Sequence, residues 1–322
     1  MKKNKINIII FTLSLMIFQN ISLISQDVLP SSLNIFDKYR LNGAYGGLSN
    51  QKILSVGYRD QWNGLDGHPK QLYLSYNQPI YNLFGGGGIK VSSDFKGIKN
   101  VFHFEASYNY VFSGYLGLFS IGGALGSDIY SFSAEKIITP EGETLNNGIY
   151  EYNDGFLDGF VNNNSYFPSL SLFALYNYKN FEFGIVFDKK INVVQKEYNL
   201  GNIFKFNWQY NHRITPDIFV KAFGVIYTDF NVVQNEMSFV LNYKNLLGGF
   251  GLRGYSPKTF DSVYIVAGGN VNARIKVIYG FDISISEIKR ANSGVHEIKL
   301  IYNFGVSNKS VNLPPVIYSP RL

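Results

Sequence analysis

No cysteine occurs in the 322 residues. That excludes a disulfide framework, a thiolate nucleophile, a zinc–thiolate site and an iron–sulfur cluster. It also excludes the lipid-modified cysteine of a bacterial lipoprotein. Charge is sparse: Asp, Glu, Lys and Arg make up 16% of the chain, against about 25% in soluble domains. The net charge of +6 is scattered, with no basic stripe interleaved with aromatics, so no nucleic-acid partner is expected. Beyond the N-terminus there is no apolar run of about 20 residues, and no transmembrane helix is expected. The four His, at 68, 103, 212 and 296, form no H-E-x-x-H pair. No Ser/His/Asp or paired-carboxylate spacing stands out, so no catalytic group, metal or cofactor is expected.

Strand and turn formers are abundant. Tyr (24), Phe (27) and Gly (32) are heavily used, and aromatics reach 16%. The N-terminus carries Lys2, Lys3 and Lys5, then an apolar stretch from Ile6 to Phe18, then "SLIS" before Gln26. This is the pattern of a secretory signal peptide over 1–25, removed on export.

The stretch "VFHFEASYNYVF" (101–112) alternates with a period of two. Phe102, Phe104, Tyr108, Tyr110 and Phe112 share one face with Ala106; His103, Glu105, Ser107 and Asn109 share the other. "RIKVIYGFDISIS", "VHEIKLIYNF" and "FEFGIVFD" repeat the pattern. Strands of a soluble sandwich run to about 5–6 residues, whereas these reach about ten, the length a tilted strand needs to cross a bilayer. Their polar faces carry small residues, amides and charges rather than a second apolar layer. The expected fold is all-β, a transmembrane antiparallel barrel with lipid outside and a polar lumen inside.

About fourteen strands are expected, beginning near 51, 70, 84, 100, 115, 165, 181, 202, 217, 235, 246, 261, 274 and 295. Alternation is poor near 202 and 217, which leaves twelve or sixteen as the other counts. Short turns at 81–82, 113–114, 179–180, 244–245 and 272–273 alternate with longer links at 62–69, 94–99, 131–164, 188–201, 254–260 and 287–294. Outer-membrane barrels have short periplasmic turns and long outward loops. With a periplasmic N-terminus, every longer link faces outward. The expected organisation is a signal peptide (1–25), a periplasmic segment (26–50), a barrel (51–305) and a polar, Pro-containing periplasmic tail (306–322).

The densest motif is "RDQWNGLDGHPK", Arg59 to Lys70, between the first two strands. Asn63-Gly64, Asp66-Gly67 and His68-Pro69 are turn signals. The plain reading is a hairpin loop with Trp62 at the membrane interface and Arg59 and Asp60 as wall charges. The sharper reading is a loop folded over or into the lumen, where Arg59, Gln61 and Trp62 organise a gate or partner surface.

This stretch resembles the R-x-Q-W-x-G-x-x-G-x-P signature of the PorP/SprF family. "LNGAYGG" (41–47) resembles that family's upstream L-N-P-A-Y-A-G, with Gly43 in place of Pro and Gly46 in place of Ala. "FDISISEIKRANSGVHEIKLIYNF" (281–304) resembles its closing hairpin with a G-x-H-E-I segment. The resemblance implies a non-catalytic outer-membrane barrel that supports type IX secretion and gliding-type surface attachment of adhesin-like cargo. It implies cargo with a C-terminal sorting domain and periplasmic secretion-machinery components as partners, besides membrane lipid. It marks Arg59, Gln61, Trp62, Gly64, Gly67 and Pro69 as the motif that shapes the lumen-side loop. An outer-membrane diffusion channel or solute transporter is the alternative, because a polar lumen can pass small solutes.

Other stretches carry less. Glu151, Asp154 and Asp158 lie in a loop without the D-x-D-x-D-G spacing of a calcium loop. "FGGGGIK" (84–90) lacks the G-K-S/T of a phosphate loop and is expected as a strand start whose glycines ease curvature.

Overall fold

A computed structural model describes residues 31–65, 67–132, 143–144, 150–151, 165–191, 202–230, 232–256, 259–285 and 293–306. The expected signal peptide, the tail beyond 306 and most of the loop 131–164 lie outside the described residues.

Fourteen antiparallel strands close into a barrel. They are β1 (Gln51–Gln61), β2 (Lys70–Ile80), β3 (Gly85–Lys96), β4 (Lys99–Gly114), β5 (Gly117–Phe132), β8 (Ser165–Tyr178) and β9 (Phe181–Lys190). Then follow β10 (Ile203–Arg213), β11 (Ile218–Thr228), β12 (Val233–Tyr243), β13 (Leu246–Ser256), β14 (Thr259–Asn270), β15 (Ile275–Ser284) and β16 (Val295–Val306). A two-residue pair, β6 (Glu143–Thr144) with β7 (Tyr150–Glu151), lies outside the wall. Each strand pairs with its neighbours in sequence, and β1 closes on β16. Closure leaves no open edge, which a bilayer requires. The largest offset from the expected starts is two residues, at Gly117, Val233 and Thr259.

Two of the expected longer links are wrong. β3 runs to Lys96, β4 starts at Lys99, and these two residues pair across Gly97 at φ +63°. β13 and β14 likewise extend to Ser256 and Thr259. Polar residues such as Asp94, Lys96 and Asn100 mimic a loop in sequence, yet they continue the ladder.

The two faces of the wall divide as the alternation dictates. Phe102, Phe104, Tyr108, Tyr110 and Phe112 are exposed on the outside, and on the same strand Glu105 and Asn109 are buried inside. Ile298, Leu300 and Phe304 on β16 face outward, while Glu297 and Lys299 face in.

The lumen is filled by the chain's own N-terminal segment. Residues 31–50 cross it lengthwise as short helical turns, Asn34–Phe36, Lys38–Leu41 and Gly43–Tyr45. This corrects the expected periplasmic placement of 26–50 for its described part. The physical reason is complementarity. Leu33, Ile35 and Leu41 pack on Phe223, Val225, Val240, Tyr264, Val266 and Ile278 from the inner wall. Each such buried aliphatic contributes about 1.5–3 kcal/mol. The poor alternation of β11 follows directly: its lumenal Phe223, Val225 and Tyr227 belong to the cluster that covers this plug.

Glycines make the remaining room. A Cβ on Gly86 would come within 2.0 Å of the Gly46 carbonyl oxygen, and one on Gly88 within 2.8 Å of the Tyr39 hydroxyl. The glycines of "FGGGGIK", expected to ease strand curvature, therefore also admit the plug.

Candidate functional site

β1 delivers Arg59 to the lumen near the long-loop end, where it is fully buried. Its guanidinium donates to Glu297 at 2.8 Å and to Asp282 at 3.0 Å. Arg59 and Glu297 are direct register partners across the β1–β16 seam. Arg253 donates to the same Asp282 at 2.7 Å and reaches Glu236 at 3.3 Å. Tyr264 and Tyr73 complete the shell, donating to Glu236 at 3.0 Å and to Glu297 at 2.8 Å. Such charges are tolerated in a dry interior only when paired and hydrogen-bonded.

The plug enters this cluster with its first described residues. The Ser32 amide donates to Glu297 at 2.9 Å, and its hydroxyl donates to Asp282 at 2.5 Å. Arg253 and Arg59 donate back to that hydroxyl at 3.0 and 3.2 Å. The Ser31 hydroxyl also donates to Glu297. Lys299 holds the Leu33 carbonyl at 3.1 Å. The cluster thus binds the segment rather than presenting a reactive group.

Further along, the contacts are neutral. Asn109 donates to the Gly46 carbonyl at 3.1 Å, and Ser120 to the Ala44 carbonyl at 2.8 Å. Asn207 donates to the Tyr45 hydroxyl at 3.1 Å, and Tyr39 shares a hydrogen bond with Ser107 at 2.7 Å. Both phenols are buried and serve as neutral hydrogen-bonding groups.

The other motif residues lie apart from Arg59, in the rim loop between β1 and β2. The Gln61 amide donates to the Pro69 carbonyl at 2.9 Å, closing the loop base. Trp62 has φ +60° and donates its amide to the Gly294 carbonyl at 3.1 Å. Gly64 and Gly67 take φ +107° and +70°, conformations that favour glycine. The Gly67 carbonyl accepts the Gly97 amide at 2.9 Å, and the Asn63 carbonyl accepts that of Ser293 at 3.0 Å. The rim loop is therefore braced on both sides. Asp60 pairs with His68 at 2.7 Å.

The motif singles out Arg59, and the closing-hairpin stretch contains Asp282 and Glu297, but their meeting is not legible in the sequence. Ser31, Ser32, Glu236 and Arg253 lie outside every motif. The usable signal was inward charge on several strands of a chain poor in charge. Of the three motif stretches, 41–47 belongs to the plug, while Arg59, Asp282 and Glu297 of the other two form the lock that grips residues 31–33.

Toward the long-loop end the lumen opens into a cavity of about 210 Å³. Three of its lysines are paired: Lys90 with Glu105 at 2.7 Å, Lys190 with Asp128 at 2.9 Å, and Lys205 with Asp188 at 2.6 Å.

The family model described as type IX secretion system membrane protein PorP/SprF matches residues 25–302. Among solved structures, the Acinetobacter baumannii outer membrane protein Omp33 is similar at 8% identity and TM-score 0.47, over 80% of this chain and 100% of that one. A triple mutant of the Rhodopseudomonas blastica porin is similar at 9% identity and TM-score 0.35, over 79% and 99% of the two chains. The KdgM porin follows at 11% identity and TM-score 0.36, over 79% and 99%. At these values the likenesses bear on no functional question. A search of curated proteins finds no match.

Proposed function

The chain belongs to the PorP/SprF family of type IX secretion system membrane proteins, and on that premise we propose that it is a non-catalytic outer-membrane scaffold for surface attachment of adhesin-like cargo. The observation that carries this reading is the filled lumen. Residues 31–50 occupy the space a solute would need, and buried ion pairs hold one end of the segment. A barrel closed in this way favours a role at its rims over solute diffusion.

In this proposal the braced rim loop of Gln61, Trp62, Gly64, Gly67 and Pro69 is part of the outward partner surface. Arg59 acts from behind, fixing the end of β1 from which the loop departs. Cargo with a C-terminal sorting domain meets the long-loop end, and periplasmic machinery meets the short turns.

Two measurements test the reading. Replacing Trp62 with Ala should reduce surface display of cargo while the barrel still shows the heat-dependent gel shift of a folded protein. Unchanged display would count against the rim assignment. In planar bilayers the wild-type barrel should conduct poorly; a steady, large conductance would favour the diffusion channel.

A further inference from the structure

On the short-turn side of the plug lies a second cavity, of about 290 Å³. Lys221 on β11 and Lys276 on β15 line it, and Arg274, just before β15, stands at its mouth. Asp37 is the acidic residue among the described lining. It is already engaged, accepting from Ser75 at 3.0 Å and from the Arg40 amide at 3.2 Å, with Lys299 at 3.7 Å. Lys38, which also lines the cavity, is paired with Glu182 at 2.7 Å.

Among the described residues, the side chains of Lys221, Lys276 and Arg274 make no ion pair. Lys221 lies 5.5 Å from the Phe219 ring and shares the cavity with Lys38 and Lys276, which repel it, while the Glu182 carboxylate that pairs with Lys38 attracts it from further off. The contrast with the other cavity decides the case. There, Lys90, Lys190 and Lys205 each meet a carboxylate within 2.9 Å. Lys221 and Lys276 are half-buried and Arg274 is exposed; cations that gather with no carboxylate in contact repel one another, and an entering anion relieves that repulsion. Asn270 and Asn272 add amide groups to the same wall.

We propose that this short-turn cavity is a binding site for an anionic group, a carboxylate or a phosphate, held by Lys221, Lys276 and Arg274. The barrel wall shuts out lipid headgroups from the side, so the ligand arrives through the aqueous mouth. The proposal stands on the cavity and its charges, independently of the secretion reading.

The test is calorimetric titration of the full-length barrel, in neutral detergent at low ionic strength, with pyrophosphate and with an oligoglutamate peptide. Wild type should bind at least one of them and should ignore an oligoglutamine peptide. The Lys221→Gln/Lys276→Gln double variant should bind about tenfold more weakly or not at all. Lys205→Gln, in the opposite cavity, should bind as wild type. Tighter binding of the peptide assigns the site to carboxylates of a chain segment; tighter binding of pyrophosphate assigns it to phosphate. If the double variant does not fold, Lys276→Gln and Lys276→Arg separate charge from packing, and only the first should weaken binding. No binding of either anion by folded wild type, or equal affinity in the charge-removed variants, overturns the proposal.

Discussion

The two ends of the plug are held by different physics. Its first residues, 31–33, are gripped by buried charge: Glu297, Asp282, Arg253 and Lys299. Its later residues, 39–47, are held by amides, hydroxyls and glycine-lined space. The ionic end depends on a few interactions, each expensive to break singly. The neutral end depends on many weak ones and on fit. The first should fail abruptly and the second by degrees.

The largest effect is expected from Glu297→Ala. It leaves Arg59 buried with half its carboxylate partners and removes acceptors for Ser31, the Ser32 amide and Tyr73. Removing one partner of a buried pair costs about 3–5 kcal/mol. The temperature of the gel-shift transition should fall sharply. A cysteine placed at Ser32 should become reactive to an aqueous maleimide, and continued protection would refute the ionic lock.

Gly86→Val attacks the other end. The added carbon meets the Gly46 carbonyl, and overpacking costs about 1–3 kcal/mol. A cysteine at Ser49 should label faster while one at Ser32 stays protected. Equal labelling at both would show that the plug moves as one body, and the contrast between its ends would be lost.

Asn109→Ala should have the smallest effect. It deletes the donor to the Ala44 and Gly46 carbonyls, worth about 1 kcal/mol. Urea denaturation should show a small shift in midpoint with the labelling pattern unchanged.

The wall was legible in the sequence because lipid and lumen impose opposite chemistries on alternate residues. Phe102 to Phe112, Ile298 to Phe304 and Phe181 to Ile185 announce an outward face wherever they fall. The plug was not legible because period-two logic does not apply to it. Leu33, Ile35, Asn42 and Gly46 have no common spacing; each matches a particular partner on the inner wall. Arg59 could be singled out by its motif, yet its role depends on Asp282 and Glu297, more than 220 residues away. The loop at 94–99 misled because a polar hairpin and a loop share a composition.

The seam between the first and last strands has a consequence for assembly. Glu297 and Lys299, which grip the plug, both belong to β16, the last strand among the described residues. Sealing the cylinder therefore also completes the ionic grip on the inner segment. Before that moment the side of the cylinder is unzipped and the inner segment is held by the other strands alone.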